Sequence, residues 1–148
     1  MTDILVIDNE QPIRDLVRES LSRPDVVLRE AADATAGWAA IRDRCPDLVL
    51  LDLVMPGVSG LDLLGQIRSA SDLADLPVFC LSAQASSEDL AMGEEAGAIG
   101  SITKPFSPRK LLSLLAPYLT DEGWGQVARR RYGFARMKGH LRSRRGPS

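Results

Sequence analysis

The chain has 148 residues, 45% of them apolar and 26% charged, with a formal net charge of −2. That is the length of one domain, and ordinary apolar content at low net charge excludes disorder for most of it. The longest nearly apolar run, Leu48 to Val58, is broken by Asp52 and is too short for a bilayer, so no membrane span is expected.

In chain order, Ile4-Leu5-Val6-Ile7 is a continuous apolar run, as expected of a strand covered on both faces. Pro12 suits a first helical position, and Ile13, Leu16, Val17 and Leu21 recur at helical spacing. Val26-Val27-Leu28 reads as a second strand, ending at Arg29-Glu30, for which the sequence offers no role. Asp33 can cap a helix carrying Ala34, Trp38 and Ile41, with Trp38 read as core. Leu48-Val49-Leu50-Leu51 is the third strand, and Leu61, Leu64 and Ile67 mark the third helix. Val78-Phe79-Cys80-Leu81 is the fourth strand, followed by a helix from about Ser87 to Ala96 that stops at Gly97. Ala98 to Thr103 is a weaker fifth strand. Ser107-Pro108 then opens a last helix lined by Leu111, Leu112, Leu115 and Leu119.

Five strand–helix units predict a parallel, doubly wound α/β sheet with helices on both faces and right-handed crossovers. No internal repeat interrupts residues 1–120, which carry 10 Lys+Arg against 18 Asp+Glu, a net of −8. Residues 121–148 carry 8 against 2, a net of +6, so a body and a basic tail are expected to meet near residue 120. No basic stretch precedes the first apolar run, so no secretory leader is expected. Cys45 and Cys80 make no CxxC pair, read as small apolar residues, and suit a reducing cytoplasm.

In open α/β sheets ligands sit at the carboxyl ends of the strands. Those ends carry Asp8, Asn9 and Glu10 after the first strand, Asp52 after the third, Ser82 on the fourth and Lys104-Pro105 after the fifth. The first loop has no glycine and is neither a dinucleotide fingerprint nor a P-loop. Converging carboxylates repel unless a cation neutralises them, which points to a hard, oxygen-ligated metal such as Mg²⁺. A carboxylate beside a metal, a lysine and a hydroxyl is equipped to attack a phosphoryl group. Each residue alone would pass as a cap or a solvated charge; the ordered set at successive strand ends is the informative signal.

These residues carry a family resemblance. Residues 4–10 (ILVIDNE), 50–60 (LLDLVMPGVSG), 81–83 (LSA) and 102–106 (ITKPF) resemble the receiver domain of a bacterial two-component response regulator, over roughly residues 1–120. The resemblance implies a flavodoxin-like (βα)5 fold with strand order 2-1-3-4-5, as in stand-alone chemotaxis regulators. It implies that Asp52 accepts a phosphoryl group from a phosphohistidine on a sensor histidine kinase or histidine phosphotransfer protein. Slow autodephosphorylation would be the only other chemistry, so the chain is expected to signal to a downstream protein rather than to act as an enzyme. Asp8, Asp52 and the Val54 carbonyl would hold Mg²⁺. Ser82 would bind the new phosphoryl oxygen and shift with it, Lys104 would pair with Asp52, and the Lys104–Pro105 bond would be cis. Val54, Ala83, Gln84 and Pro105 would flank the phosphoryl group and bear on its lifetime.

Two positions depart from the family pattern. Asn9 stands where a second acid is usual, and its amide oxygen coordinates without charge, so Mg²⁺ affinity should fall unless Glu10 compensates. Ser101 stands where most receivers place an aromatic that swings inward with the hydroxyl residue, which removes the usual route by which the signal leaves. It also weakens the expectation of a homodimer through the face of the fourth and fifth helices.

The tail interleaves Arg129-Arg130-Arg131, Arg136, Lys138, Arg142 and Arg144-Arg145 with Tyr132, Phe134 and Met137. It reads as a solvated extension, as a hook for nucleic acid or another anionic surface, or as a segment folding back on the acidic body. Gly125, Gly133 and Gly139 make an isolated helix there marginal, and the length is too short for a DNA-binding domain with its own core. His140 reads as solvated. Alternatives to the signalling module are a phosphorylation-independent binding module, a nucleic-acid-binding regulator acting through the basic tail and, behind these, an aspartate-nucleophile phosphatase of the haloacid-dehalogenase type. The phosphatase needs a second aspartate two residues after the nucleophile, where this chain has Glu10 or Val54, and a cap domain, for which no segment is evident.

Overall fold

The continuous apolar runs become strands with two different buried faces, because successive side chains on a strand point to opposite sides. In the computed structural model, residues 2–55, 57–83 and 87–119 are described, with only the backbone of 87–90. Gln84 and the basic tail, residues 121–148, lie outside the described residues. Strands β1 (Thr2–Ile7), β2 (Val26–Ala31), β3 (Leu48–Asp52), β4 (Val78–Ser82) and β5 (Gly100–Thr103) alternate with helices α1 (Gln11–Ser20), α2 (Ala34–Asp43), α3 (Gly60–Ser69), α4 (Ser87–Glu95) and α5 (Pro108–Leu115). The sheet is parallel with order β2-β1-β3-β4-β5. The expected doubly wound fold and strand order are what the chain adopts.

Ile4 and Val6 of β1, Leu48 and Leu50 of β3, and Phe79 and Leu81 of β4 face one core, closed by Val17 at the end of α1 and by Leu111 and Leu115 of α5. The alternate residues Leu5, Ile7, Val49, Leu51, Val78 and Cys80 face the other, under Ala34 and Ile41 of α2 and Leu63, Leu64 and Ile67 of α3. Each central strand is buried throughout, which is why these runs show no polar alternation. Trp38, expected in the core, is half-buried and packs on the edge of the second core, with the Arg42 guanidinium 4.7 Å over its ring. Burial raises the Cys80 thiol to about 12, which leaves it inert.

The caps read from sequence hold: Asp33 accepts from the Ala36 N–H at 2.7 Å and Ser107 from the Lys110 N–H at 3.1 Å. Gly97 ends the α4 turn at φ 110°, and its carbonyl accepts from Arg68 Nη2 at 2.7 Å.

Three boundaries differ from expectation. The last helix stops at Leu115 and continues as a 3₁₀ turn over Ala116–Tyr118, because Pro117 has no N–H to return to Ser113, so Leu119 lies beyond it. The fifth strand begins at Gly100 rather than Ala98. The second strand runs on through Arg29, Glu30 and Ala31, pairing in register with Leu5, Val6 and Ile7. Arg29 and Glu30 therefore do have roles: Arg29 bonds Asp3, and Glu30 receives Arg14 and Arg18.

Candidate functional site

Chain order takes β1 out to β2 and then back across to β3, so the loops after β1 and β3 diverge and leave a crevice between adjacent strand ends. Asp8 follows β1 and Asp52 ends β3. Both are buried, with residue exposures of 0% and 3%. Each aspartate makes the same local turn. Asp8 Oδ1 accepts the Glu10 N–H at 2.8 Å, and Asp52 Oδ1 accepts the Val54 N–H at 3.1 Å. One oxygen of each carboxylate is thus committed to its own loop, and the other is turned toward the crevice.

Lys104, directly after β5, fills that crevice and is 8% exposed. Its Nζ donates to Asp52 Oδ2 at 3.2 Å and to Glu10 Oε1 at 3.1 Å. It also pairs with Asp8 Oδ2 at 2.7 Å, but off the line of a hydrogen bond, which leaves that buried oxygen with unused acceptor capacity. The Lys104 N–H donates to the Ser82 carbonyl at 2.6 Å, and the Lys104–Pro105 bond is cis, as expected. Ser82 is buried at the end of β4 beside this group.

Burial raises the Asp52 carboxyl above its ordinary value; the nearby Asp8 charge adds to this, against the Val54 N–H and Lys104. Burial pulls the Lys104 ammonium down, but Asp8, Asp52 and Glu10 outweigh it and hold it above the usual lysine range. The lysine stays charged at neutral pH.

Carboxylate oxygens of Asp8, Glu10 and Asp52 lie within 4.8 Å of one another. Three converging oxygens, one of them under-used, fit a small oxygen-ligated cation. Glu10 belongs to this group although its side chain is 53% exposed, whereas Asn9 is exposed. Val54 and Ala83 are exposed at the rim, Val54 at 75%, and Pro105 is exposed next to Lys104. Ser101 lies apart from this group, exposed on β5 where it lines an open groove of about 440 Å³ with Leu114 of α5.

Gly60 is a site residue that sequence reasoning left unassigned beyond its place in the motif. Its N–H donates to the Leu53 carbonyl at 3.1 Å, pressing the start of α3 onto the strand end that carries Asp52. A Cβ there would stand 2.0 Å from the Asp52 carbonyl oxygen and 2.7 Å from Leu53 Cα, both backbone. Gly60→Ala is expected to cost about 3 kcal/mol, the upper range for overpacking, as measured by urea unfolding. A loss below about 1 kcal/mol would show that α3 can retreat freely.

Arg14 was also missed, because nothing in its local sequence links it to the first loop. Its Nη1 donates to the Asp8 carbonyl at 2.6 Å, and its Nε pairs with Glu30 at 3.2 Å.

A protein-family model for the response regulator receiver domain matches residues 4–116. The chain belongs to this family. The receiver is 38% identical over 122 residues to the phosphate regulon transcriptional regulatory protein PhoB of Pseudomonas aeruginosa, covering 82% of this chain and 53% of that protein. It spans about half the length of the curated relatives it matches. Among solved structures, the receiver domain of NtrX from Brucella abortus is 39% identical with a TM-score of 0.72, covering 79% of this chain and 98% of that one. The Vibrio cholerae chemotaxis protein CheY4 is 28% identical with a TM-score of 0.74, covering 78% and 97%. Receiver domains of two-component systems are signalling modules, not phosphatases of the haloacid-dehalogenase type, so that alternative falls away. Among the described residues no helix is long and apolar enough to cross a membrane.

Proposed function

We propose that this receiver accepts a phosphoryl group on Asp52 from a phosphohistidine of a sensor histidine kinase or phosphotransfer protein in the cytoplasm. Its phosphorylation state would then control binding to a downstream protein. The observation that carries this reading is the pair of buried carboxylates, Asp8 and Asp52, sharing the Lys104 ammonium at adjacent strand ends. Such a site is preorganised to balance negative charge, and an incoming phosphoryl group brings more of it.

In the transfer, an Asp52 carboxylate oxygen forms the new O–P bond while the P–N bond to the donor imidazole breaks and its electron pair returns to the ring. Lys104 stays protonated and offsets charge on the phosphoryl oxygens. The Ser82 hydroxyl donates to one of them. Val54, Ala83 and Pro105 flank the group, with Val54 and Ala83 open to water at the rim, so these positions set how fast water reaches the acyl phosphate. Asp8, Asp52, the Val54 carbonyl and Glu10 would hold Mg²⁺, with the Asn9 amide oxygen as a neutral alternative. When bound, Mg²⁺ supplies charge neutralisation and orientation of the phosphoryl oxygens.

Incubation with acetyl phosphate, with and without Mg²⁺, followed by intact mass spectrometry tests the reading. A Mg²⁺-dependent gain of one phosphoryl group is expected; no gain at high Mg²⁺ would favour a phosphorylation-independent binding module.

The position of Glu10 beside Lys104 predicts that it supplies a third negative charge next to Asp8 and Asp52, in place of the neutral Asn9. Glu10→Gln is expected to weaken Mg²⁺ binding about tenfold, and Asn9→Asp to tighten it by a similar factor, by calorimetric titration. Unchanged affinity in Glu10→Gln would leave Asp8 and Asp52 as the only charged ligands.

The net charge of +6 over 121–148 supports a second reading, output on DNA through the tail, and the relative from Pseudomonas aeruginosa is itself a transcriptional regulator. Salt-dependent DNA binding that disappears on deleting 123–148 would establish it.

A further inference from the structure

Asp8 carries the most demanding position in the site. Its carboxylate is wholly buried, one oxygen holds the Glu10 N–H, and the other faces the crevice. The direction of that side chain depends on the peptide that carries it, which stands at the exit of a strand where ladder bonding ends. Two contacts fix the peptide. Its N–H donates to the Ala31 carbonyl of β2 at 3.1 Å, and its carbonyl accepts from Arg14 Nη1 at 2.6 Å.

Arg14 reaches this carbonyl from the first turn of α1 and is itself held. Its Nε pairs with Glu30 Oε1 at 3.2 Å, and its Nη2 donates to Gln11 Oε1. Glu30 is anchored in β2, in register with Val6, and its second oxygen takes Arg18. The Arg14 side chain is 12% exposed. All three guanidinium nitrogens are therefore committed in one plane, an arrangement that lysine's single ammonium cannot reproduce.

We propose that Arg14, braced by Glu30, is a positioning residue that fixes the Asp8 peptide and so aims the Asp8 carboxylate at the cation and phosphoryl site. The inference rests on the reading of Asp8 as a cation ligand. It gives the end of β2, which contributes no side chain to the crevice, a part in the chemistry of its neighbour. Outer partners of metal ligands commonly change metal affinity by about 10–100-fold when removed.

A stability role alone would be shared by Arg29, which makes an equivalent set of contacts away from the crevice. Arg29 bonds Asp3 Oδ1 at 3.1 Å and the carbonyls of Ala40 and Arg44 at 2.9 and 2.7 Å, with its side chain 20% exposed. Arg29→Gln is the matched control. The experiment measures Mg²⁺ affinity by calorimetry and hydrogen exchange at the Glu10 amide, which reports its bond to Asp8 without any metal.

Arg14→Gln is expected to weaken Mg²⁺ about tenfold and to speed exchange at the Glu10 amide by a similar factor, with Arg14→Lys recovering little of either. Arg29→Gln should change neither by more than about twofold. Glu30→Gln, which keeps the arginine, should move both readouts in the same direction by less. Wild-type values in Arg14→Gln, equal losses in Arg14→Gln and Arg29→Gln, or full rescue by lysine would each overturn the brace. Wild-type protein that takes up no Mg²⁺ would sink the cation reading instead. The Glu10 amide distinguishes that result from failure of the brace.

Discussion

Asp52→Asn is expected to remove acetyl-phosphate labelling completely while raising the melting temperature. The first effect follows from chemistry, since an amide oxygen is a far weaker nucleophile than a carboxylate. Retained labelling would move the acceptor to Asp8 or Glu10. The second effect follows from the raised carboxyl of Asp52. A carboxyl that holds its proton more tightly when folded contributes stability below its ordinary value of 3.8, and this is lost as pH rises through the folded value. At neutral pH the ionised group is therefore a burden that the neutral amide lifts. The gain is small, because one amide oxygen can serve the Val54 N–H or Lys104 but not both. A lower melting temperature would mean that the pairing with Lys104 outweighs desolvation and repulsion from Asp8.

Lys104→Met is expected to cost about 3 kcal/mol in metal-free protein, the lower end for leaving buried charges without their partner. Methionine keeps most of the apolar stem but leaves Asp8 and Asp52 facing each other across the crevice. Proton uptake by Asp52, whose carboxyl burial already raises, would relieve that repulsion, so the variant should gain stability as pH falls below neutral. Added Mg²⁺ should restore part of the loss, because a ligand that binds only the folded state stabilises it. In wild type the sign is opposite at the alkaline end. The Lys104 ammonium is held above 10.5, so its contribution is full below that pH and fades as pH rises through the folded value. Urea unfolding across pH, with EDTA and with Mg²⁺, measures all of this. A loss under about 1 kcal/mol with EDTA would show that the carboxylates are solvated well enough to do without the ammonium.

Much of the fold is legible in the chain itself. Runs such as Leu48-Val49-Leu50-Leu51 are apolar at every position because both faces of the central strands are covered, and one-sided sheets do not need that. Asp33, Ser107 and Gly97 mark helix ends through local hydrogen bonds and backbone freedom, which are properties of a few neighbouring residues. The site residues Asp8, Asp52, Ser82 and Lys104 are legible for a related reason. Each is the first polar group after an apolar run, and in a parallel sheet all such groups emerge on one edge.

What the sequence alone determined about this protein is therefore the sheet, its two cores, the edge where chemistry belongs and the residue types placed there. The tertiary structure alone decided how those residues are partnered. Lys104 is shared among three carboxylates up to 96 positions away in the chain, Gly60 is demanded by the backbone of Asp52 and Leu53, and Arg14 reaches the Asp8 carbonyl through the way α1 packs back along β1. Local patterns carry no record of such contacts, because they depend on the register between strands and on where each helix comes to rest against the sheet.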